Sequence, residues 1–434
     1  MNSRVLHPAD QICTILRRIY DGDMTTLTGG NLSMRDEEGV VWVSPTGIDK
    51  SALTREDIVR IMPDGSIEGK HRPTSEYRIH WQILMRRPDL KAILHAHPPA
   101  LVTMSATHEV PKTKMLYQTY AAVGLPELAE YGFPGTLKLV ECVTAAFDKG
   151  CKAAILKNHG VFLGSNIDLY DAFINFEQLD FHARIELFSG ILGEGKEPEQ
   201  QEMEKFQKEL KTRMEKGVFQ SFFPHDHYGT RELELRRELK EFARRACRKR
   251  LFTGGFGTIS AKISEDEFLI SPLKKDNAFL AEEDFVLIRK GECEEGKHPD
   301  MFAEHHRDIY RKHPDIGSII MAAPVYASAY AMTDREYEVG VIPESYGVLR
   351  DCRRVPMAEI NNNWARIAEE SGMEHPFCIL ENLGVLVMGA TPLMAFDKLE
   401  VAESTAMTIH MACTGHRKIK AMTEAMKKEQ DEQN

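Results

Sequence analysis

Apolar residues fall at two different periods along this chain. Ile12, Ile15, Leu16 and Ile19 recur at helical spacing and make one apolar face. Leu235, Leu239, Phe242 and Ala246 do the same in the second half. Shorter apolar runs predict strands. "VVWVSP" (40–45) reads as a strand stopped by Pro45, and "EDIVRIMPDG" (56–65) as a strand followed by a turn at Asp64 and Gly65. "AILHAH" (92–97) and "AAILKNHG" (153–160) are further short strands. Helices are predicted over 74–86, entered through Pro73 and Thr74 or Ser75, and over 167–189. Strands and helices intermingle without the strict alternation of a parallel sheet. The predicted class is α/β, a layered domain whose central sheet is mainly antiparallel or mixed and flanked by helices.

The pattern occurs twice. "TGGNLSMR" (28–35) returns loosely as "TGGFGTISAK" (253–262), and "VWVSPTG" (41–47) as "FLISPLK" (268–274). "EGKHRPTSEYRIH" (68–80) returns as "EGKHPDMFAEHH" (295–306), "RRPDLKAILHAHPPA" (86–100) as "RKHPDIGSIIMAAPVYA" (311–327), and "ILKNHGVFLG" (155–164) as "ILENLGVLVMG" (379–389). The order is kept, so two tandem domains of one fold are expected, at 1–215 and 225–434. The charged segment 193–230 between the two cores reads as a helix and connector.

Bulk properties narrow the function. The 434 residues carry a formal net charge of -11, which argues against a nucleic-acid partner, since phosphate backbones need a basic surface. No apolar run approaches the roughly 18 residues that span a bilayer, and "MNSRVLHPADQIC" has no signal-type apolar core. The eight cysteines form no CxxC pair, so neither a thiolate zinc site nor a dithiol motif is indicated. A cytoplasmic protein without membrane contact is the expectation.

The candidate chemistry lies in the first copy. On a strand, His95 and His97 point to one face. Two imidazoles so placed suit a divalent metal, and equally an ordinary polar strand end. His159 ends a second strand before a glycine, and Glu76 opens a helix. Three nitrogens and a carboxylate would complete a catalytic type of metal site. Each has an ordinary reading: a loop histidine, and a carboxylate complementing a helix dipole. The second copy weighs against those readings. His95, His97 and His159 become Met321, Ala323 and Leu383 together, and Glu76 aligns with Phe302, or with Glu304 under a small gap shift. His80 is kept as His306, which favours a structural role for it. Beside these residues, "TGGN" (28–31), "SPTG" (44–47) and "PTS" (73–75) offer N–H groups and hydroxyls for an anion, without Lys or Arg. The same residues also make ordinary turns. In the second copy Asn31 aligns with Phe256, Thr46 with Leu273 and Gly47 with Lys274, so the two sets degrade together.

"GGNLS", "SPTG", "PTSE", "HAH" and "NHG", in this order, resemble the class II aldolase and adducin family, closely over most of 1–215 and at fold level over 225–434. The resemblance implies Zn²⁺, or another divalent metal, on His95, His97 and His159. It implies Glu76 as catalytic base, and as a metal ligand when substrate is absent. It assigns phosphate binding to Asn31, Thr46, Gly47, Thr74 and Ser75. Thr74 stands where many members have serine, which keeps the hydroxyl. Some members add a tyrosine from a neighbouring subunit; Tyr117 aligns loosely there, with Tyr120 and Tyr131 as rivals. The implied activity is an aldolase-type lyase that cleaves a phosphorylated sugar or related hydroxy-carbonyl compound through a metal-stabilised enediolate. Epimerisation or dehydration on the same scaffold is the alternative, as is a non-catalytic adducin-like binding or scaffold protein. The degenerate second copy is expected to be a structural or regulatory half. Four-fold assemblies in the family suggest a homo-oligomer here, a dimer of tandem chains imitating a tetramer.

Overall fold

The computed structural model describes residues 6–433. Residues 1–5, where the stretch read as lacking a signal-type core begins, and 434 lie outside the described residues. Two compact units are present, one formed by Met1–Thr113 and Thr119–Arg184, the other by Lys114–Gln118 and Ile185–Asn434. Each is a mixed sheet flanked by helices. Among the described residues no helix is long and apolar enough to cross a membrane.

The first unit contains β1 (Asn31–Arg35), β2 (Val41–Val43), β3 (Val59–Ile61), β4 (Ile67–Glu68), β5 (Ala92–Ala96), β6 (Glu127–Ala129), β7 (Ala153–Leu156) and β8 (Val161–Ser165). They form one sheet in the order β4-β3-β2-β1-β5-β8-β7-β6. All neighbours are antiparallel except the β6–β7 pair. Every residue of β5, β7 and β8 is buried, which is why these strands are continuous apolar runs rather than alternating ones. Ile79, Ile83 and Leu84 of helix Tyr77–Arg86 pack with Leu139, Val143 and Phe147 of helix Leu137–Asp148 and with residues of β2 and β3.

The helix read from Thr74 in fact begins at Tyr77, with Glu76 at its N-cap. Residues 72–74 are held against the 44–46 segment, and Ser75 and Glu76 form a turn before the helix. Thr74 N–H donates to Ser44 O at 3.0 Å, Thr46 N–H donates to Arg72 O at 3.1 Å, and Pro45 and Pro73 form an isolated bridge. The Glu76 carboxylate makes no capping hydrogen bond and is free for other work.

The second unit contains β9 (Phe222–Phe223), β10 (Thr258–Ser264), β11 (Glu267–Ile270), β12 (Val286–Arg289), β13 (Glu292–Glu294), β14 (Ser318–Ala322), β15 (Arg353–Val355), β16 (Phe377–Leu380) and β17 (Gly384–Gly389). Their order is β15-β16-β17-β14-β10-β11-β12-β13-β9. Without β9, an edge strand parallel to β13, this is the order of the first sheet. The strand register corrects one alignment. Asn31 faces His95 across β1 and β5, and Thr258 faces Met321 across β10 and β14. Thr258, not Phe256, therefore stands in the place of Asn31. The two extra residues of the second copy sit in the glycine loop before the strand, where a match on the glycines alone misplaces them.

A buried charge cluster links helix Thr230–Arg248 to the 282–285 segment and to β13. Arg236 is 1% exposed. It donates to the carboxylates of Glu232 (2.7 Å) and Glu294 (3.2 Å) and to the carbonyls of Glu282 and Phe285. Removing the guanidinium leaves the buried Glu232 to His225 alone and the buried Glu294 to Lys297 alone. Arg236→Ala is expected to cost about 3–5 kcal/mol, read as a lower urea midpoint by circular dichroism. An unchanged midpoint would contradict this role.

Candidate metal centre and active site

The three histidines come together at the ends of three adjacent chain segments. His95 is the penultimate residue of β5, and His97 lies just past its end, anchored by its N–H to Met24 O at 3.2 Å. His159 occupies the turn between β7 and β8. That turn is fixed by Asn158 in the left-handed region (φ 54°) and by Ser105. The Ser105 hydroxyl accepts from His159 N–H at 2.9 Å, and the Ser105 carbonyl accepts from Asn158 N–H at 3.1 Å. Gly160 is needed by close approach. A Cβ there would meet His97 Cδ2 at 2.5 Å and Ala96 O at 2.8 Å. One nitrogen from each ring lies within 4.8 Å of the other two, so His95, His97 and His159 form a set able to hold one divalent metal ion.

The hydrogen bonds fix which nitrogen of His95 is free. Its Nδ1 lies 3.0 Å from Val161 O, a carbonyl that can only accept, so Nδ1 carries the proton. Nε2 is left with a lone pair, and it is buried without a hydrogen-bond partner. The ring stacks on Phe162 with centroids 4.1 Å apart. Burial, reinforced by the neighbouring His97 and His159, holds the His95 pKa well below the ordinary range. His97 is pushed down to about 4, again chiefly by burial. Both rings are neutral near pH 7, the form that binds a metal.

Glu76 closes the site. Its Oε2 lies 3.2 Å from His95 Nε2, and its Oε1 lies 3.4 Å from His159 Nε2. By distance alone the first contact is an ion pair. The neutral state of His95 makes it instead a lone pair facing a carboxylate. A relay orients the carboxylate: Ser33 Oγ–H donates to His80 Nδ1 (2.8 Å), His80 Nε2–H to Asn31 Oδ1 (2.5 Å), and Asn31 Nδ2–H to Glu76 Oε2 (2.8 Å). Burial pushes His80 down to about 3, so it acts as a neutral link. Glu76 Oε1 is buried without a hydrogen-bond partner. The second unit keeps the first link only. Ser260 Oγ lies 2.7 Å from His306 Nδ1, while His306 Nε2 has no partner once Thr258 replaces the asparagine. Ser33 and Ser105 were not singled out from sequence. The pairing of Ser33 with Ser260, beside His80 and His306, was the available signal for the first of them.

The remaining candidates divide. Segments 44–47 and 72–76 are bonded to each other as described, and Ser44 Oγ accepts from Leu32 N–H at 3.1 Å, so Asn31, Thr46, Gly47, Thr74 and Ser75 share one neighbourhood. Within it the Asn31 amide is committed to Glu76 and His80. Gly47 has φ 66°, a conformation that costs other residues. Tyr117 is a buried residue. It belongs to the second unit, is 7% exposed, and packs edge-on against Phe206 with centroids 4.3 Å apart. Burial raises its phenol to about 12. Tyr131 is exposed and Tyr120 half-buried, both in the first unit.

Known proteins place this arrangement in a family. The profile of the Class II Aldolase and Adducin N-terminal domain matches residues 10–187 and again 237–410. The chain is 29% identical to the 5-deoxy-D-ribulose 1-phosphate aldolase of Bacillus thuringiensis serovar kurstaki, over 46% of its own length and 94% of that protein. It is 33% identical to the L-fuculose phosphate aldolase of Methanocaldococcus jannaschii, over 41% of its own length and 95% of that protein. A solved L-fuculose 1-phosphate aldolase structure is 30% identical, with 47% of this chain and 96% of that one covered and a TM-score of 0.43. The chain belongs to the class II aldolase and adducin family and carries its domain in two copies.

Proposed function

We propose that the first unit is a zinc-dependent aldolase-type lyase that cleaves a carbon–carbon bond in a phosphorylated sugar or a related hydroxy-carbonyl compound. One contact carries this reading: the free lone pair of His95 Nε2 faces the Glu76 carboxylate at 3.2 Å, with both side chains buried. Two acceptors so placed repel each other unless a cation joins them. His95, His97 and His159 would hold the ion, with Glu76 as a further ligand when substrate is absent. When bound, the ion supplies a Lewis acid that offsets negative charge developing on substrate oxygens. The names of both aldolases above refer to phosphorylated sugars, which supports that substrate class.

The protein's own residues do the rest. Glu76 holds and moves the proton, through Oε1, the oxygen that Asn31 leaves unbonded. Asn31, His80 and Ser33 fix the plane of that carboxylate, so the proton is delivered in one direction. The 44–47 and 72–76 segments would bind the remote phosphate through N–H groups and the hydroxyls of Thr46, Thr74 and Ser75. That binding spends energy on orienting the reacting carbons. The second unit, with Met321, Ala323 and Leu383 in place of the histidines, would be a structural or regulatory half.

A panel of sugar phosphates tested on the zinc-loaded chain, with products identified by mass and stereochemistry, checks this reading. The expected result is an aldehyde and a ketose-derived phosphate fragment. Products of unchanged carbon skeleton would redirect the assignment to epimerisation or dehydration. Full activity in metal-free protein would end it.

A further inference from the structure

Lys50 is a cation sealed inside the first unit without a counter-charge. The residue is 1% exposed. Its Nζ donates to one neutral acceptor, the carbonyl of Pro45, at 2.5 Å, and it makes no ion pair among the described residues. Lysine is rarely buried unless paired, because an ammonium loses its hydration there. Burial lowers this amine to about 8, so most of it stays charged at neutral pH.

Its position is informative. The Lys50 N–H donates to Leu27 O at 2.9 Å, and its Nζ grips the residue before Thr46. Lys50 thus ties together the loops that end in Asn31 and in Gly47. The second unit supplies an internal control. There Asn277 N–H donates to Gly254 O at 3.0 Å, the equivalent backbone bond, which identifies Asn277 as the counterpart of Lys50. Asn277 is neutral and satisfies itself on the carbonyls of Thr253 and Gly257. The buried lysine is present where Thr46 and Gly47 are present; where they are Leu273 and the exposed Lys274, its place is taken by the neutral Asn277.

We propose that Lys50 is the counter-charge of the substrate's anionic group, a specificity-determining residue that makes the 27–31 and 44–47 loops select a phosphate dianion over a carboxylate. This rests on the reading above that these loops take the substrate's anion.

The test uses inorganic phosphate and acetate as probes, titrated calorimetrically into the full chain after chelation, so that no metal takes the anion. Wild-type protein is expected to bind phosphate at least about 10-fold more tightly than acetate, and Lys50→Met and Lys50→Gln to weaken phosphate at least about 10-fold while leaving acetate little changed. Folded variants that bind phosphate within about two-fold of wild type would overturn the role of Lys50 alone. No phosphate binding by wild type would overturn the anion site with it. Loss of lyase activity in the zinc-loaded chain, with phosphate binding intact, would count only against the lyase reading. Should both variants unfold, a crystal of wild-type protein soaked in phosphate decides. Phosphorus within about 6 Å of Nζ supports the proposal, and phosphate bound elsewhere ends it.

Discussion

His95→Ala is expected to lose its bound metal and about 10³-fold or more in turnover while the chain stays folded. That loss corresponds to roughly 4 kcal/mol of transition-state stabilisation, within what a Lewis acid supplies. His95 is the buried corner of the triad. Its Nδ1 is tied to Val161 O and its ring is stacked on Phe162, so Nε2 can point only inward. One nitrogen from each of His97 and His159 lies within 4.8 Å of one nitrogen of His95, so all three rings would be needed for a three-nitrogen shell. Truncation also leaves a cavity beside Phe162 and costs about 1–3 kcal/mol of stability. His97→Ala separates the two effects. That ring is only partly buried, so metal loss should be similar with a smaller drop in melting temperature. Elemental analysis and thermal denaturation read the two quantities independently. Wild-type protein stripped by a chelator should match the variants in activity and recover on adding Zn²⁺. Met321→Ala, at the equivalent strand position of the second unit, should change neither quantity of metal nor turnover.

Glu76→Gln is the second large effect: a fall in kcat of about 10²–10⁴-fold with KM and metal content little altered. The substitution keeps the shape and removes the charge. Its carbonyl oxygen can still accept from Asn31 Nδ2, so the relay from Ser33 through His80 remains intact. What disappears is the ability of Oε1 to take a proton. Equal losses of metal and activity would instead make Glu76 a ligand first. An unchanged kcat would remove it from the chemistry.

The triad was legible because two of its members obey the strand period and because the second copy discards all three. The strand register makes His95 the counterpart of Met321, and His159 and Leu383 both lie in the turn before the equivalent strands β8 and β17. The duplication was legible for the same reason, since five segments recur in order. Other features need tertiary contacts to be seen. Thr74 and Ser75 carry a helix-start signal, but Thr74 is bonded to Ser44, Ser75 lies in a turn, and the helix waits until Tyr77. Local propensity cannot weigh that competition. The hydrogen bond from the Asn31 amide to Glu76 is likewise invisible in the sequence. Lys50 sits among polar and acidic neighbours in "GIDKSALTRED" and looks like a surface lysine until the fold buries it. The linker helix Gln200–Lys216 was visible as a charged segment. Its burial of Phe206 against Tyr117 was not.

Metal analysis joined to X-ray absorption at the zinc edge tests the central claim most directly. The account predicts one ion per chain, with a first shell of three imidazole nitrogens at about 2.0–2.1 Å and light oxygen donors completing it. Two ions per chain, a sulfur-containing shell, or a shell unchanged in His95→Ala would contradict it.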